Sequence, residues 1–135
     1  MRAVRVSIAL LVLAVVVGAV FAQPSTESDL EAYLEPAALR DLMLDPPEGF
    51  FLVDVRTPAE YKSGHIPGSV NVELAIIAEQ PPTDETDASI VVYCRSGNRS
   101  AQAAAALSSL GYTRVLDWGG ISRWPFELIT GAEPR

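Results

Sequence analysis

The sequence of 135 residues contains one cysteine, Cys94, one histidine, His65, and one lysine, Lys62. A single cysteine excludes an internal disulfide framework, a CxxC redox pair and a zinc site built from several cysteines. A single histidine beside it leaves too few ligands for a Cys/His metal cage, so we expect no metal site.

Basic residues are also scarce, since 10 lysines and arginines accompany 17 aspartates and glutamates and the net charge is −7. An acidic surface argues against nucleic acid or an anionic membrane as the main partner. Three arginines, Arg56, Arg95 and Arg99, are nevertheless expected near the candidate site, where they could attract a small anion. The alternative is that they are ordinary surface charges.

Charge is absent from one long stretch near the amino end. Arg2 and Arg5 precede an almost wholly apolar run at residues 6–21, and residues 20–22 place small side chains at the −3 and −1 positions of a cleavage site. This is the signal-peptide pattern, so residues 1–22 are predicted to be a leader that exports the protein to the periplasm or outside the cell. The alternative is an uncleaved membrane anchor, although the run is slightly short for a span.

The rest of the chain alternates between strand and helix patterns. Residues 23–35 are predicted to be a linker or amino-terminal segment, and residues 36–135 the working domain. Apolar runs predict strands, and helical spacing, caps and propensity predict helices between them. The strands are expected at 50–55, 69–72, 90–93 and 114–116, the helical segments at 36–44, 58–62, 74–78 and 101–110, a turn at 117–120 and the start of a last helix at 121–124. This order predicts an α/β domain with a mostly parallel sheet and helices on both faces.

Cys94 follows the strand at 90–93 and precedes a polar loop and a helix. In a parallel α/β sheet, ligands bind beyond the carboxyl ends of the strands. The amides of residues 95–100 can form a cradle, because Gly97 permits positive φ, and the helix dipole favours an anion. These effects predict a thiol pKa below the usual value of about 8.5 and a reactive thiolate. The alternative is a buried cysteine that acts as a small apolar residue.

Three further polar residues are candidates for supporting roles. His65 lies in a rigid turn, GHIPG at 64–68, which its ring is predicted to hold, and a general-base role toward Cys94 is the alternative. Asp54 and Arg56 flank a strand end and are predicted to tie loops together or to reach the rim of the site.

Four segments together resemble the rhodanese (thiosulfate sulfurtransferase) domain family. They are LVDVRTPAEY at 52–61, GHIPGSVNV at 64–72, CRSGNRS at 94–100, and GG at 119–120 with Trp124. The resemblance spans roughly residues 36–134. It implies a single rhodanese-like, three-layer α/β domain whose central, mostly parallel, five-stranded sheet is flanked by helices on both faces.

The resemblance implies sulfur transfer at Cys94, from a small anionic donor such as thiosulfate to cyanide or a thiol through a persulfide. It also assigns donor binding and persulfide stabilisation to the loop residues Arg95, Ser96, Gly97, Asn98, Arg99 and Ser100. Asp54, Arg56 and His65 would support this site, and no cofactor or metal would be required. We expect a monomer with no nucleic-acid partner, and membrane attachment only if the leader is uncleaved.

Loop length bears on a rival activity. A phosphatase-type loop has five residues between its cysteine and its arginine, whereas four separate Cys94 from Arg99 and Ser100 occupies the place of that arginine. The shorter loop favours sulfur transfer over phosphatase or arsenate reductase chemistry. A non-enzymatic persulfide carrier, or a binding module for another exported protein, stays open as the alternative function.

Overall fold

The computed structural model describes residues 28–132. The predicted leader at 1–22 with its cleavage site, residues 23–27 of the predicted linker and residues 133–135 lie outside this range. Within the described range, no helix combines the length and the apolar character needed to cross a membrane.

Strands and helices alternate along the described residues. The strands are β1 (Phe50–Asp54), β2 (Val70–Asn71), β3 (Ser89–Cys94) and β4 (Val115–Gly120). The α-helices are α1 (Ser28–Glu31), α2 (Pro36–Met43), α3 (Pro58–Ser63) and α4 (Asn98–Ser109), and short 3₁₀ turns occupy Ala32–Leu34, Leu74–Ile76 and Ile121–Arg123. All strand pairs are parallel, in the order β2-β1-β3-β4. The predicted parallel α/β architecture is therefore confirmed.

The sheet has four strands among the described residues, so the expectation of five was wrong. The segment before α2, which was predicted to be a linker, forms α1 and a 3₁₀ turn. It meets the edge strand β4 through a side chain, because the indole Nε1 of Trp118 donates to the carbonyl oxygen of Tyr33 at 2.9 Å. Leu30 is buried here, so the predicted linker region contributes to the packed domain.

Strand β3 is buried on both faces and divides the core into two layers. Ile90, Val92 and Cys94 belong to one cluster, which includes Ala103 and Leu107 of α4. The alternate residues of β3, Val91 and Tyr93, belong to the other cluster, which includes Leu39 of α2. Because successive strand residues point to opposite faces, α4 covers the face of Cys94 and α2 covers the reverse face.

Local signals start the helices. Thr57 caps α3 with its side chain, Glu60 returns the bond to the Thr57 backbone, and Pro58 occupies the first turn, as the predicted capping box requires. Helix α2 likewise begins at Pro36. Helix α4 begins at Asn98 rather than at residue 101, because Gly97 enters it with φ 101° and leaves only a three-residue connection after β3.

The predicted turn at 117–120 was wrong, because these residues continue β4. Val92 pairs with Asp117 and Tyr93 with Gly119, so Trp118 is an extra residue on β4 and forms a β-bulge. The backbone N–H of Gly119 donates to Asp117 Oδ1 at 3.0 Å, which is turn-like chemistry inside a strand. Local composition therefore predicted a turn at a point where β4 passes through a bulge and then continues to pair with β3.

The predicted last helix is only the 3₁₀ turn Ile121–Arg123. Trp124 is extended, with φ −80° and ψ 110°, as expected for a residue that precedes proline. The following segment runs back to the loop after α3, where Ile129 and His65 exchange backbone hydrogen bonds of 2.9 and 3.0 Å.

Candidate active site

Cys94 is the last residue of β3, and its side chain is fully buried between the sheet and α4. The chain turns through residues 95–97 and enters α4 at once, so the first amides of the helix lie beside the sulfur. The backbone N–H of Gly97 donates to Cys94 Sγ at 3.0 Å. This arrangement places the thiol at a helix amino terminus, where a negative charge is stabilised.

Ser100 provides a second contact from the first turn of α4. Its hydroxyl oxygen lies 3.6 Å from Cys94 Sγ and also 3.0 Å from the carbonyl oxygen of Gly97. Burial by itself raises the pKa of the Cys94 thiol, but the hydrogen bond with the Ser100 hydroxyl and those from the amides of Ser100, Gly97 and Ser96 outweigh burial and lower it. The site therefore shifts the equilibrium of Cys94 toward the thiolate, which is the nucleophilic form.

A Ser100→Ala variant is expected to react with iodoacetamide at a higher pH midpoint than the wild-type protein. The hydrogen bond between Ser100 and Cys94 lowers the thiol pKa, so its removal raises that pKa and reduces the thiolate fraction near neutral pH. Alkylation rates measured from pH 5 to 10 by intact mass would give both midpoints. An unchanged midpoint would show that the backbone amides alone set the reactivity of Cys94.

The two loop arginines differ in what they bind. Arg95 is exposed, and no hydrogen bond or ion pair engages its guanidinium among the described residues. Arg99 is engaged by Glu60 of α3, since Nη1 donates to Oε2 at 2.8 Å and Nη2 donates to Oε1 at 2.9 Å. Ser96 and Asn98 are exposed beside Arg95, so the mouth of the loop presents one cation that has no partner within residues 28–132.

Asp54 and Arg56 form a buried ion pair at the carboxyl end of β1. Arg56 Nη2 lies 2.6 Å from Asp54 Oδ2 and also donates to the carbonyl oxygen of Gly64 at 2.7 Å. Asp54 lies in register with Tyr93, which places the two residues on the face opposite the Cys94 side chain. The pair therefore ties β1 to the Gly64 loop and does not line the thiol cradle.

His65 is fully buried and holds the same loop. Its Nδ1 donates to the carbonyl oxygen of Tyr61 at 2.8 Å, and its ring stacks on the Tyr61 ring at 3.7 Å. Nε2 is buried and has no hydrogen-bond partner among the described residues. These contacts link the loop to α3 and none of them reaches Cys94, which argues against the general-base alternative.

The described residues contain no group of three or more His, Cys, Asp or Glu side chains that could hold a metal ion.

The sequence model that defines the rhodanese-like domain family matches residues 35–125 of this chain. The chain belongs to the rhodanese-like domain family. A sulfurtransferase of Allochromatium vinosum is 45% identical over 78 residues, which cover 57% of this chain and 73% of that protein. The thiosulfate sulfurtransferase PspE of Escherichia coli is 39% identical over 72 residues, which cover 51% and 68% respectively.

Solved structures agree with this assignment. A structure of rhodanese with anions from Escherichia coli aligns with a TM-score of 0.53 at 32% identity, covering 61% of this chain and 99% of that one. A rhodanese-related protein from Thermoplasma volcanium aligns with a TM-score of 0.57 at 30% identity, covering 71% and 95%. The names of the sequence relatives support rhodanese-type sulfur transfer by this chain.

Two residues of this rhodanese-like site escaped sequence reasoning as site residues. Glu60 is predicted only as part of a capping box and of the segment at 52–61 that carries the resemblance, yet it also binds Arg99 of the loop. Gly120 is predicted only as part of the turn at 117–120 and of the closing motif, yet it supports the loop from behind. A Cβ atom on Gly120 would lie 2.7 Å from the Arg95 carbonyl oxygen and 3.1 Å from Ser96 Cα. Neither contact leaves a local pattern, because each joins segments far apart in the chain.

A Gly120→Ala variant is expected to lower the kcat/KM of sulfur transfer by about 100-fold, the effect of misplacing reacting groups by roughly 1 Å. The added methyl group meets backbone atoms of Arg95 and Ser96, so the rhodanese loop has to move. The measurement is thiocyanate formation from thiosulfate and cyanide.

Gly111→Ala is the matched control for this variant. Gly111 has φ 98° and open space around its Cα, so alanine there strains the backbone without touching the loop. It is expected to cost about 1 kcal/mol of stability and to leave transfer intact. Equal activity in both variants would contradict a positioning role for Gly120.

Proposed function

We propose that this protein is a sulfurtransferase that moves sulfane sulfur from thiosulfate to cyanide or a thiol through a persulfide on Cys94. The observation that carries the proposal is the buried sulfur with Gly97 N–H at 3.0 Å and the Ser100 hydroxyl at 3.6 Å. A thiolate stabilised by fixed donors is a ready nucleophile, and the same donors suit the anionic persulfide that replaces it.

In the first step, the Cys94 thiolate attacks the outer sulfur of thiosulfate. A new S–S bond forms at Cys94, the S–S bond of thiosulfate breaks, and sulfite leaves with the electron pair. No net oxidation or reduction takes place, because the sulfane sulfur passes between two nucleophiles. The exposed guanidinium of Arg95 would attract the anionic donor to the mouth of the loop.

In the second step, cyanide or an acceptor thiolate attacks the outer sulfur of the persulfide. Thiocyanate or the acceptor persulfide forms, the S–S bond to Cys94 breaks, and the Cys94 thiolate is regenerated. The sequence has no second cysteine to discharge the persulfide internally, so the acceptor comes from outside the chain. This is two-step covalent catalysis with ping-pong kinetics.

We also propose that residues 1–22 direct export of the protein. The basic start, the uncharged apolar run and the small residues at 20–22 support this proposal. An acidic domain with thiol chemistry at one residue would then meet its donors and acceptors outside the cytoplasm.

Intact mass tests transfer and export together. The full chain is expressed in a bacterium, the periplasmic and membrane fractions are separated, and each is incubated with thiosulfate. The expected product is a chain that lacks residues 1–22 and gains the mass of one sulfur atom. Recovery of the full-length chain in the membrane fraction would overturn cleavage, and the absence of the added sulfur would overturn thiosulfate as donor. Sulfur uptake without thiocyanate formation would favour the persulfide carrier instead.

A further inference from the structure

The carboxylate of Glu60 occupies both terminal nitrogens of Arg99, one of the two arginines in the loop that carries Cys94. The two contacts are 2.8 and 2.9 Å long and parallel, which is the two-pronged geometry of a strong guanidinium–carboxylate pair. The pair is only partly exposed, with 32% of the Arg99 side chain and 29% of the Glu60 side chain accessible. The negative charge of Glu60 therefore compensates the positive charge of Arg99.

Glu60 is itself held in place. Its Oε2 accepts hydrogen bonds from the backbone N–H and from the hydroxyl of Thr57, both at 3.0 Å. The hydrogen bonds from Arg99, opposed by partial burial and aided by those from Thr57, hold the pKa of Glu60 well below its usual range. The carboxylate therefore stays charged and fixed throughout the working pH range.

Arg95 provides the contrast, because it is exposed and no carboxylate engages it among the described residues. The loop thus contains two guanidinium groups and presents the charge of one. A donor that carries two negative charges gains more from a second free cation than a donor that carries one. Because Arg99 is paired with Glu60 of α3, its charge is not free to bind the donor.

We propose that Glu60 is a positioning residue that acts through Arg99 and sets donor preference. By neutralising Arg99 it reduces the advantage that a doubly charged donor, such as thiosulfate, would otherwise have over a sulfane donor of single charge. This inference rests on the proposed sulfur transfer and adds to it the charge class of the donor.

Two donors of the same chemistry separate charge from structure. Thiosulfate is a dianion and releases sulfite, whereas benzenethiosulfonate is a monoanion and releases benzenesulfinate by the same attack on a sulfane sulfur. In Glu60→Gln, the ratio of kcat/KM for thiosulfate to that for benzenethiosulfonate is expected to rise about 3–10-fold at low ionic strength. The rise is expected to shrink at about 0.5 M salt, because exposed charges are screened.

Two matched variants accompany it. Glu48→Gln removes the same charge from an exposed residue before the start of β1, at the opposite end of the strand from the Cys94 edge, and is expected to leave the ratio unchanged. The double variant Glu60→Gln/Arg99→Gln removes both charges of the pair and is expected to return the ratio to near its wild-type value. These ratios are informative even if each variant is somewhat less stable, because a smaller folded fraction lowers the measured kcat/KM for both donors by the same factor.

An unchanged ratio in Glu60→Gln, with both donors still turned over, would overturn this inference and leave the proposed function standing. A raised ratio that persists in the double variant would also overturn it, because the effect would not pass through Arg99. If the wild-type protein turns over neither donor, the proposed function fails and this inference fails with it.

Discussion

The Cys94→Ser variant is expected to lose sulfur transfer by at least about 10⁴-fold, the scale on which the loss of a catalytic nucleophile acts. A serine hydroxyl in the same cradle remains protonated near neutral pH and does not displace sulfite. Because Cys94 is the only cysteine, no other side chain can form the persulfide. Thiocyanate formation and the mass gain on incubation with thiosulfate are both expected to vanish.

The control for this variant is a measurement of whether it is folded. Cys94 is buried in the cluster beneath α4, so circular dichroism and thermal melting have to show that the variant is folded before its activity is compared. A folded Cys94→Ser protein that still formed thiocyanate at the wild-type rate would contradict covalent catalysis at this residue.

The Asp54→Asn variant is expected to lose about 3–5 kcal/mol of unfolding free energy, the usual cost of removing one partner from a buried ion pair. The Arg56 side chain is only 7% accessible, so its charge would stay in the protein interior with a weakened partner. For a domain of this size, the melting temperature is expected to fall by about 10 °C or more. Chemical denaturation and calorimetry would measure the loss.

The matched control is Asp41→Asn, which breaks the ion pair between Arg40 and Asp41 at the surface. Those side chains are 46% and 64% accessible, so the change is expected to cost no more than about 1 kcal/mol. Adding Arg56→Met to Asp54→Asn is expected to recover part of the stability, because it removes the buried charge. Equal losses in Asp54→Asn and Asp41→Asn would contradict this account.

Much of the domain could be predicted from local pattern. The apolar runs of β1 and β3 identify strands buried on both faces, and the capping box at Thr57 identifies the start of α3. These signals work because burial and capping act on residues close together in the chain. The place of Cys94 at the end of β3 follows from the same patterns.

The errors share a physical cause. The turn predicted at 117–120 is a bulged end of β4, since pairing with β3 overrides the local preference of Asp117 and Gly119. The described residues form four strands, whereas the family resemblance implied five, and the segment predicted to be a linker folds into helical turns against β4. Propensity is a weak guide wherever a partner strand or helix supplies the hydrogen bonds.

The sequence by itself determined the place of Cys94 at the carboxyl end of a parallel strand and a glycine-containing loop of fixed length after it. Only the tertiary structure decided which charges that loop presents. Glu60 is 39 residues from Arg99 in the chain, and the fold brings α3 and α4 together so that the two side chains meet. From the sequence alone, Arg99 is counted as a free positive charge. In the folded protein, the carboxylate of Glu60 compensates that charge.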